Sequence, residues 1–185
     1  MCVGALRRVV VAAVRVLCPV LVMGACGGAH DAEPKAPQDV HGPAVVFSLI
    51  TTDGSELSSA TTRGRVTLLL FLTTYDNASQ LMARQFKTIV HHHRPRVNVG
   101  AIVLETSKYA VLAPVFKQSL ELDYPVAMAD EATLRGLGPF GAVHRVPTII
   151  VLDGRGRRVW SQEGFVSPRQ VEHVLDLAMG RRDQP

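Results

Sequence analysis

Three features of the chain predict an α/β domain over residues 44–182, built in three layers as a mixed central sheet flanked by helices. Residues 66–73 (VTLLLFLT) and 97–104 (VNVGAIVL) are nearly continuous apolar runs, the composition of strands covered on both faces. Between and after them, apolar residues recur at three- and four-residue spacing, which is the helical period. Near the end, two β-rich runs flank Asp153-Gly154-Arg155-Gly156, a hairpin signal. Helices between strands require parallel crossovers, whereas the hairpin adds an antiparallel edge, so the sheet is mixed.

Taken in order, residues 44–50 (AVVFSLI) form a first strand, and Asp53-Gly54 favours a tight hairpin turn. Arg63-Gly64 breaks the chain before the strand at 66–73. Over 76–92, Leu81, Met82, Phe86, Ile89 and Val90 recur as on one helix face, and Pro95 ends that helix. After the strand at 97–104, residues 107–120 carry helical spacing through Val111, Val115 and Leu120, with Pro114 demanding a kink or a late start. A short strand is predicted at 124–129 and a short helix at 130–137, with Asp130 as its cap. Strands at 148–152 and 157–161 make the hairpin. Ser167-Pro168 opens the last helix, whose stripe is Val171, Val174, Leu175 and Ala178. Tyr109 and Trp160 read as packing residues.

Residues 1–25 are read as an export signal, with a basic start, an apolar run at 16–23 (VLCPVLVM) and the small pair Gly24-Ala25 before Cys26. Met23-Gly24-Ala25-Cys26 resembles the bacterial lipobox, which implies cleavage before Cys26 and acylation of its sulfur. A membrane span fits poorly, because the apolar stretch counted from 9 to 25 contains Arg15. Residues 26–43 are rich in Gly, Pro, Ala and charge without periodicity, which suits a flexible tether. The expected location is the cell envelope, outside the cytoplasm, with membrane lipid as partner through acylated Cys26. Gly27 in place of Asp favours the outer membrane if the cell is Gram-negative.

Charge and cysteine counts both change once that signal is set aside. The chain has 20 basic and 16 acidic side chains, but Arg7, Arg8 and Arg15 belong to the signal, leaving 17 against 16. Such a balance gives no footing for nucleic-acid binding. Cys2, Cys18 and Cys26 are the only cysteines, so nothing after residue 26 can form a disulfide, a thiolate metal site or a cysteine nucleophile.

Several stretches taken together resemble the thioredoxin-like superfamily, in particular its redoxin and TlpA-like thiol-disulfide oxidoreductases. Phe47-Ser48-Leu49 with Thr52-Asp53-Gly54 matches that group's opening, and Leu57-Ser58 followed by Arg63-Gly64-Arg65-Val66-Thr67-Leu68-Leu69-Leu70-Phe71 matches its L-S…R-G-K-V-V-L-L-N-F stretch. Phe140-Gly141-Ala142-Val143-His144-Arg145-Val146-Pro147-Thr148 is similar to its Y-G-V-x-x-V-P-T, followed by a strand and Asp153-Gly154. The resemblance places the family's W-C-x-x-C at Tyr75-Asp76-Asn77-Ala78-Ser79, with Asp76 and Ser79 on the two cysteine positions. In the family the first cysteine caps a helix whose dipole lowers the thiol pKa. Aspartate there keeps the cap and loses disulfide exchange; serine is no resolving nucleophile without a base. The resemblance also implies a cis Pro147, with Val146 on the floor of a groove for an extended peptide or envelope protein, and Tyr75 and His144 at its rim. The plainer alternative is that Pro147 only turns the chain.

Other patterns carry less. His91-His92-His93 cannot converge on one ion, since neighbours on a helix diverge by about 100°, so they read as a solvated helix end. His144 lacks the two cysteines that copper-delivery relatives pair with a histidine, so no metal or cofactor is expected. Arg155, Arg157 and Arg158 read as a solvated basic turn. Asp76 with Glu105, at consecutive strand ends, is a candidate hydrolytic carboxylate pair. Walker, H-E-x-x-H and G-x-S-x-G motifs are absent from the sequence. The expectation is a tethered, redox-inactive binding or scaffolding domain with no catalytic residue. The alternative is a component of a thiol-disulfide or antioxidant pathway that positions substrates while a partner supplies the thiols.

Overall fold

The computed structural model describes residues 42–180; the predicted signal, Cys26 and nearly all of the predicted tether lie outside the described residues. Its strands are β1 (Ser48–Ile50), β2 (Glu56–Ser58), β3 (Val66–Leu72), β4 (Val97–Val103), β5 (Val126–Met128), β6 (Thr148–Leu152) and β7 (Arg158–Glu163). Its helices are α1 (Asn77–His93), α2 (Leu112–Ser119), α3 (Glu131–Leu134) and α4 (Pro168–Ala178). β1 and β2 form a separate antiparallel hairpin, and the other strands form one sheet in the order β5-β4-β3-β6-β7. β3, β4 and β5 are parallel, while β6 runs against β3 and β7 against β6. The mixed three-layer α/β architecture read from the sequence is therefore the observed one.

β3 is buried along its whole length because its alternating side chains enter two different cores. Leu68, Leu70 and Leu72 meet Met82 and Phe86 of α1, Phe116 of α2 and Val174 of α4. Leu69 and Phe71 turn the other way, toward Phe47, Leu57 and Phe140. The crossovers through α1 and α2 step in the same direction across the sheet, and the right-handed rule then sets both helices on one face. The opposite face is covered by the β1–β2 hairpin and the Phe140 segment, with the Phe140 ring centroid 5.1 Å from Phe47 and 5.0 Å from Phe71. Gly100 makes this close packing feasible: a Cβ there would fall 2.6 Å from Leu57 Cδ2.

Several side chains depart from the sequence reading. The stripe that α1 buries is Met82, Phe86, Ile89, Val90 and His93, while Leu81, one residue off that stripe, is 49% exposed. His91 and His92 are exposed as expected, but His93 is buried, because it falls on the inward stripe. A 3-10 turn (Ser107–Tyr109) precedes α2, so Pro114 lies in the first helical turn, where its missing N–H has no intrahelical acceptor to lose. That late start turns Ala113 and Phe116 inward and leaves Val111 and Val115 exposed. Tyr109 is not a packing residue either; it is 47% exposed with Lys108 Nζ 5.6 Å from its ring centroid. Trp160 is buried as expected.

Candidate functional site at the carboxyl edge

The carboxyl ends of β3 and β4, the start of β6 and the end of β7 share one edge of the sheet. β3 delivers Thr73, Thr74, Tyr75 and Asp76 to this edge, and α1 begins at once. Asp76 is the N-cap, with extended backbone (φ −87°, ψ 126°), and its Oδ2 accepts the Ser79 N–H at 2.7 Å. Ser79 is fully buried in the first turn, and its Oγ accepts the Thr73 N–H at 3.4 Å. Asp76 and Ser79 therefore hold the start of the helix together. Tyr75, just before the cap, is 76% exposed.

Glu105 follows β4 on the same edge and is buried. Its Oε1 accepts both the Thr74 N–H, at 2.5 Å, and the Thr74 hydroxyl, at 2.7 Å. Gln80 Nε2 donates to the Thr74 carbonyl at 3.0 Å, so the loop before the cap is held from two sides. Burying a carboxylate is costly unless donors meet it, and here two do. The candidate Asp76–Glu105 hydrolytic pair is accordingly corrected: each carboxylate is committed to a backbone N–H, one as helix cap and one as a tie between strand ends. The Glu105–Thr74 tie was not read from the sequence. Its only signal there is a Thr after one central strand and an acid after the next.

The register pairs Phe71 with Thr148 in antiparallel sense, so residues 146 and 147 run beside the chain that leaves β3. The Val146–Pro147 bond is cis. Pro147 is buried, its carbonyl accepts the Gly164 N–H at 2.7 Å, and Thr148 Oγ1 donates to the Arg145 carbonyl at 2.6 Å. Val146 is half-buried, and among the described residues neither its N–H nor its C=O is engaged in a hydrogen bond. His144 is exposed on the approach to this bend, and Phe165, just past β7, is 52% exposed. Tyr75, Asp76, Val146 and Pro147 are thus brought to one edge, with Ser79 beneath it.

The remaining candidates do not form a second site. His91 lies 3.5 Å from Asp123, His92 lies 3.4 Å from Glu172, and His93 turns inward, so the three rings diverge. Among the described residues no group of His, Cys, Asp or Glu has metal-binding geometry. A cleft of about 400 Å³ opens between the β1–β2 hairpin and the Pro139-Phe140 segment, and Asp130 on its rim caps α3. The Thr133 side chain and N–H hold the Asp130 carboxyl below the usual carboxylate range.

Solved structures supply the comparison. A thiol:disulfide interchange protein of the thioredoxin family from Chlorobium tepidum TLS superposes with a TM-score of 0.61 at 22% identity, covering 81% of this chain and 99% of its own. StoA from Bacillus subtilis gives 0.58 at 22%, over 71% of this chain and 98% of that one. A secreted Mycobacterium tuberculosis disulfide oxidoreductase, homologous to E. coli DsbE, gives 0.61 at 12%, over 72% and 96%. No protein-family model matches the chain, and no curated protein does. The fold is thioredoxin-like, and at these identities the likeness is one of fold.

Proposed function

We propose that this chain is a lipid-anchored binding or scaffolding domain of the cell envelope, in which a thioredoxin-like carboxyl edge receives an extended polypeptide without thiol chemistry. The observation that carries the reading is the pairing of this fold with a sequence free of cysteine after residue 26. Its solved neighbours include thiol-disulfide oxidoreductases, and exchange of that kind requires an attacking thiolate. Asp76 keeps an oxygen acceptor at the helix start, where it takes the Ser79 N–H, and supplies no sulfur. The free backbone groups of Val146 offer an extended segment the same hydrogen bonds that one strand offers another. Tyr75 and Phe165 add exposed aromatic surface on the same edge.

A photo-crosslinking residue at position 146 tests this in the native envelope, with one at Ile50, exposed on the hairpin, as reference. Polypeptide adducts at 146 and not at 50 are the expected result. Equal labelling at both positions would leave the groove without a role.

The reading in which a partner supplies the thiols uses the same edge, where the free backbone groups of Val146 would hold a disulfide-bearing segment. It differs in one outcome: the captured polypeptide would itself carry reactive cysteines.

A further inference from the structure

The edge opposite the candidate site collects arginines from three separate turns. Arg63 and Arg65 precede β3, Arg94 and Arg96 precede β4, and Arg155 sits in the β6–β7 turn. The register fixes their proximity: Val66 pairs with Val97, and Thr67 with Leu152. Arg65 Nη1 donates to the Pro95 carbonyl at 2.8 Å, and the Gly64 N–H donates to the Gly154 carbonyl at 2.9 Å, which closes the three turns on one another. All five arginines are exposed. The carboxylates at this edge are already engaged, Asp153 by Arg157 at 2.7 Å and Asp123 by Arg94 at 3.4 Å. Among the described residues Arg63, Arg65, Arg96 and Arg155 have no carboxylate partner. A chain close to neutral after its signal therefore gathers four arginines without carboxylate partners at one edge.

The chain also enters the domain at this edge. Ala44 bridges to Arg157, and the Val45 N–H donates to the Gly156 carbonyl at 2.8 Å, so the segment that follows Cys26 joins the fold beside Arg155. The fifteen residues 27–41 can span at most about 50 Å, which keeps this entry point within reach of any surface that holds Cys26.

We infer that the arginine edge formed by Arg63, Arg65, Arg96 and Arg155 rests on an anionic lipid surface and turns the Tyr75–Pro147 edge away from it. The inference builds on the reading of Cys26 as a lipid anchor. Guanidinium groups pair with lipid phosphates in a planar, bidentate geometry, and each basic side chain near an anionic membrane strengthens association roughly five-fold. The anchor makes the contact intramolecular, so individually weak pairs suffice. Screening limits the effect to about 10 Å at 0.1 M salt, which demands that the edge lie against the headgroups.

The test is arginine-specific labelling, read residue by residue by mass spectrometry, on the full chain with vesicles of phosphatidylcholine alone or with 30% phosphatidylglycerol (about one lipid in three, enough for a clear surface potential). Labelling of Arg63, Arg96 and Arg155 is expected to fall at least three-fold (a threshold below the roughly five-fold effect of a single pair) with the anionic lipid and to recover at high salt. Arg145, exposed at the opposite edge, serves as reference and is expected to hold constant. The triple variant Arg63→Gln, Arg96→Gln, Arg155→Gln should lose the lipid-dependent protection of Arg65. Equal labelling in both lipids, or protection of Arg145 instead, would overturn the inference. Intact mass of the same sample reports acylation of Cys26 separately. Equal labelling from a chain whose mass shows acylated Cys26 overturns the contact itself, whereas a mass without acylation overturns the anchor reading on which the contact rests.

Discussion

At the carboxyl edge the exposed side chains include Tyr75 and Phe165, and beneath them Asp76, Ser79 and Glu105 take the N–H groups of Ser79, Thr73 and Thr74. At the amino edge the exposed side chains are arginines from three turns, and the nearby carboxylates are already paired. One edge is organised by internal hydrogen bonds around an apolar surface with a free stretch of backbone; the other leaves its charge available to the surroundings. The difference shows how a domain with nearly balanced side-chain charge can still be polarised, because strand order and not composition decides where the charges gather. It also separates two kinds of side chain: those whose loss damages the fold and those whose loss changes only what the surface meets.

The largest effect is expected from Glu105→Ala. It strands the Thr74 N–H and hydroxyl in a buried setting, which should lower stability by about 2–4 kcal/mol in urea unfolding. Glu105→Gln keeps an acceptor and should recover part of the loss. A cost below about 1 kcal/mol would mean that the carboxyl edge is not built on this tie. Asp76→Ala comes next, at about 1 kcal/mol for a lost N-cap, with Asp76→Asn close to the parent. If either Asp76 variant abolished partner capture at unchanged stability, Asp76 would be more than a cap.

Acid should act on the fold through Asp53, Asp130 and Asp153. The Lys117 ammonium, with Thr51 and Ser55, holds Asp53 well below the usual carboxylate range. Asp130 is lowered by Thr133. Burial raises Asp153, but the Arg157 and Arg155 N–H groups and the Arg157 guanidinium outweigh it and leave the carboxyl lowered. Folded values below the unfolded one mean that this stability is complete above the unfolded pKa, about 3.9, and is lost as pH falls through the folded values. Urea midpoints should therefore fall between pH 5 and pH 3, and Asp153→Asn should flatten part of that slope. A midpoint that rose over this interval would contradict the assignment. The smallest effect is expected from Arg96→Gln and Arg155→Gln, within about 0.5 kcal/mol of the parent by thermal unfolding. A larger loss would show that the arginine edge is structural.

Much of the sheet was legible because β3, β4 and β6 are continuous apolar runs and the Asp-Gly turns sit where hairpins close. The caps Asp76, Asp130 and Ser167 were legible for a local reason, since a capping oxygen acts within three residues of itself. What failed was local in another way: α2 begins at Leu112, and this start sent Val111 and Val115 outward although their spacing suits a core face. The Glu105–Thr74 tie joins residues from two strand ends, and periodicity carries no information about such pairs. The arginine edge was hidden for the same reason. Its members are scattered from 63 to 155 and meet only through the register of β3 with β4 and β6.

Reduction of insulin disulfides by the full chain carrying Cys2→Ser, Cys18→Ser and Cys26→Ser, with a dithiol reductant present, tests whether the thioredoxin-like edge works without thiol chemistry. The expected rate equals the background of the reductant alone, because no sulfur nucleophile remains in the chain. Sustained turnover above that background, abolished by Asp76→Ala, would contradict the account and make the carboxyl edge a catalytic site.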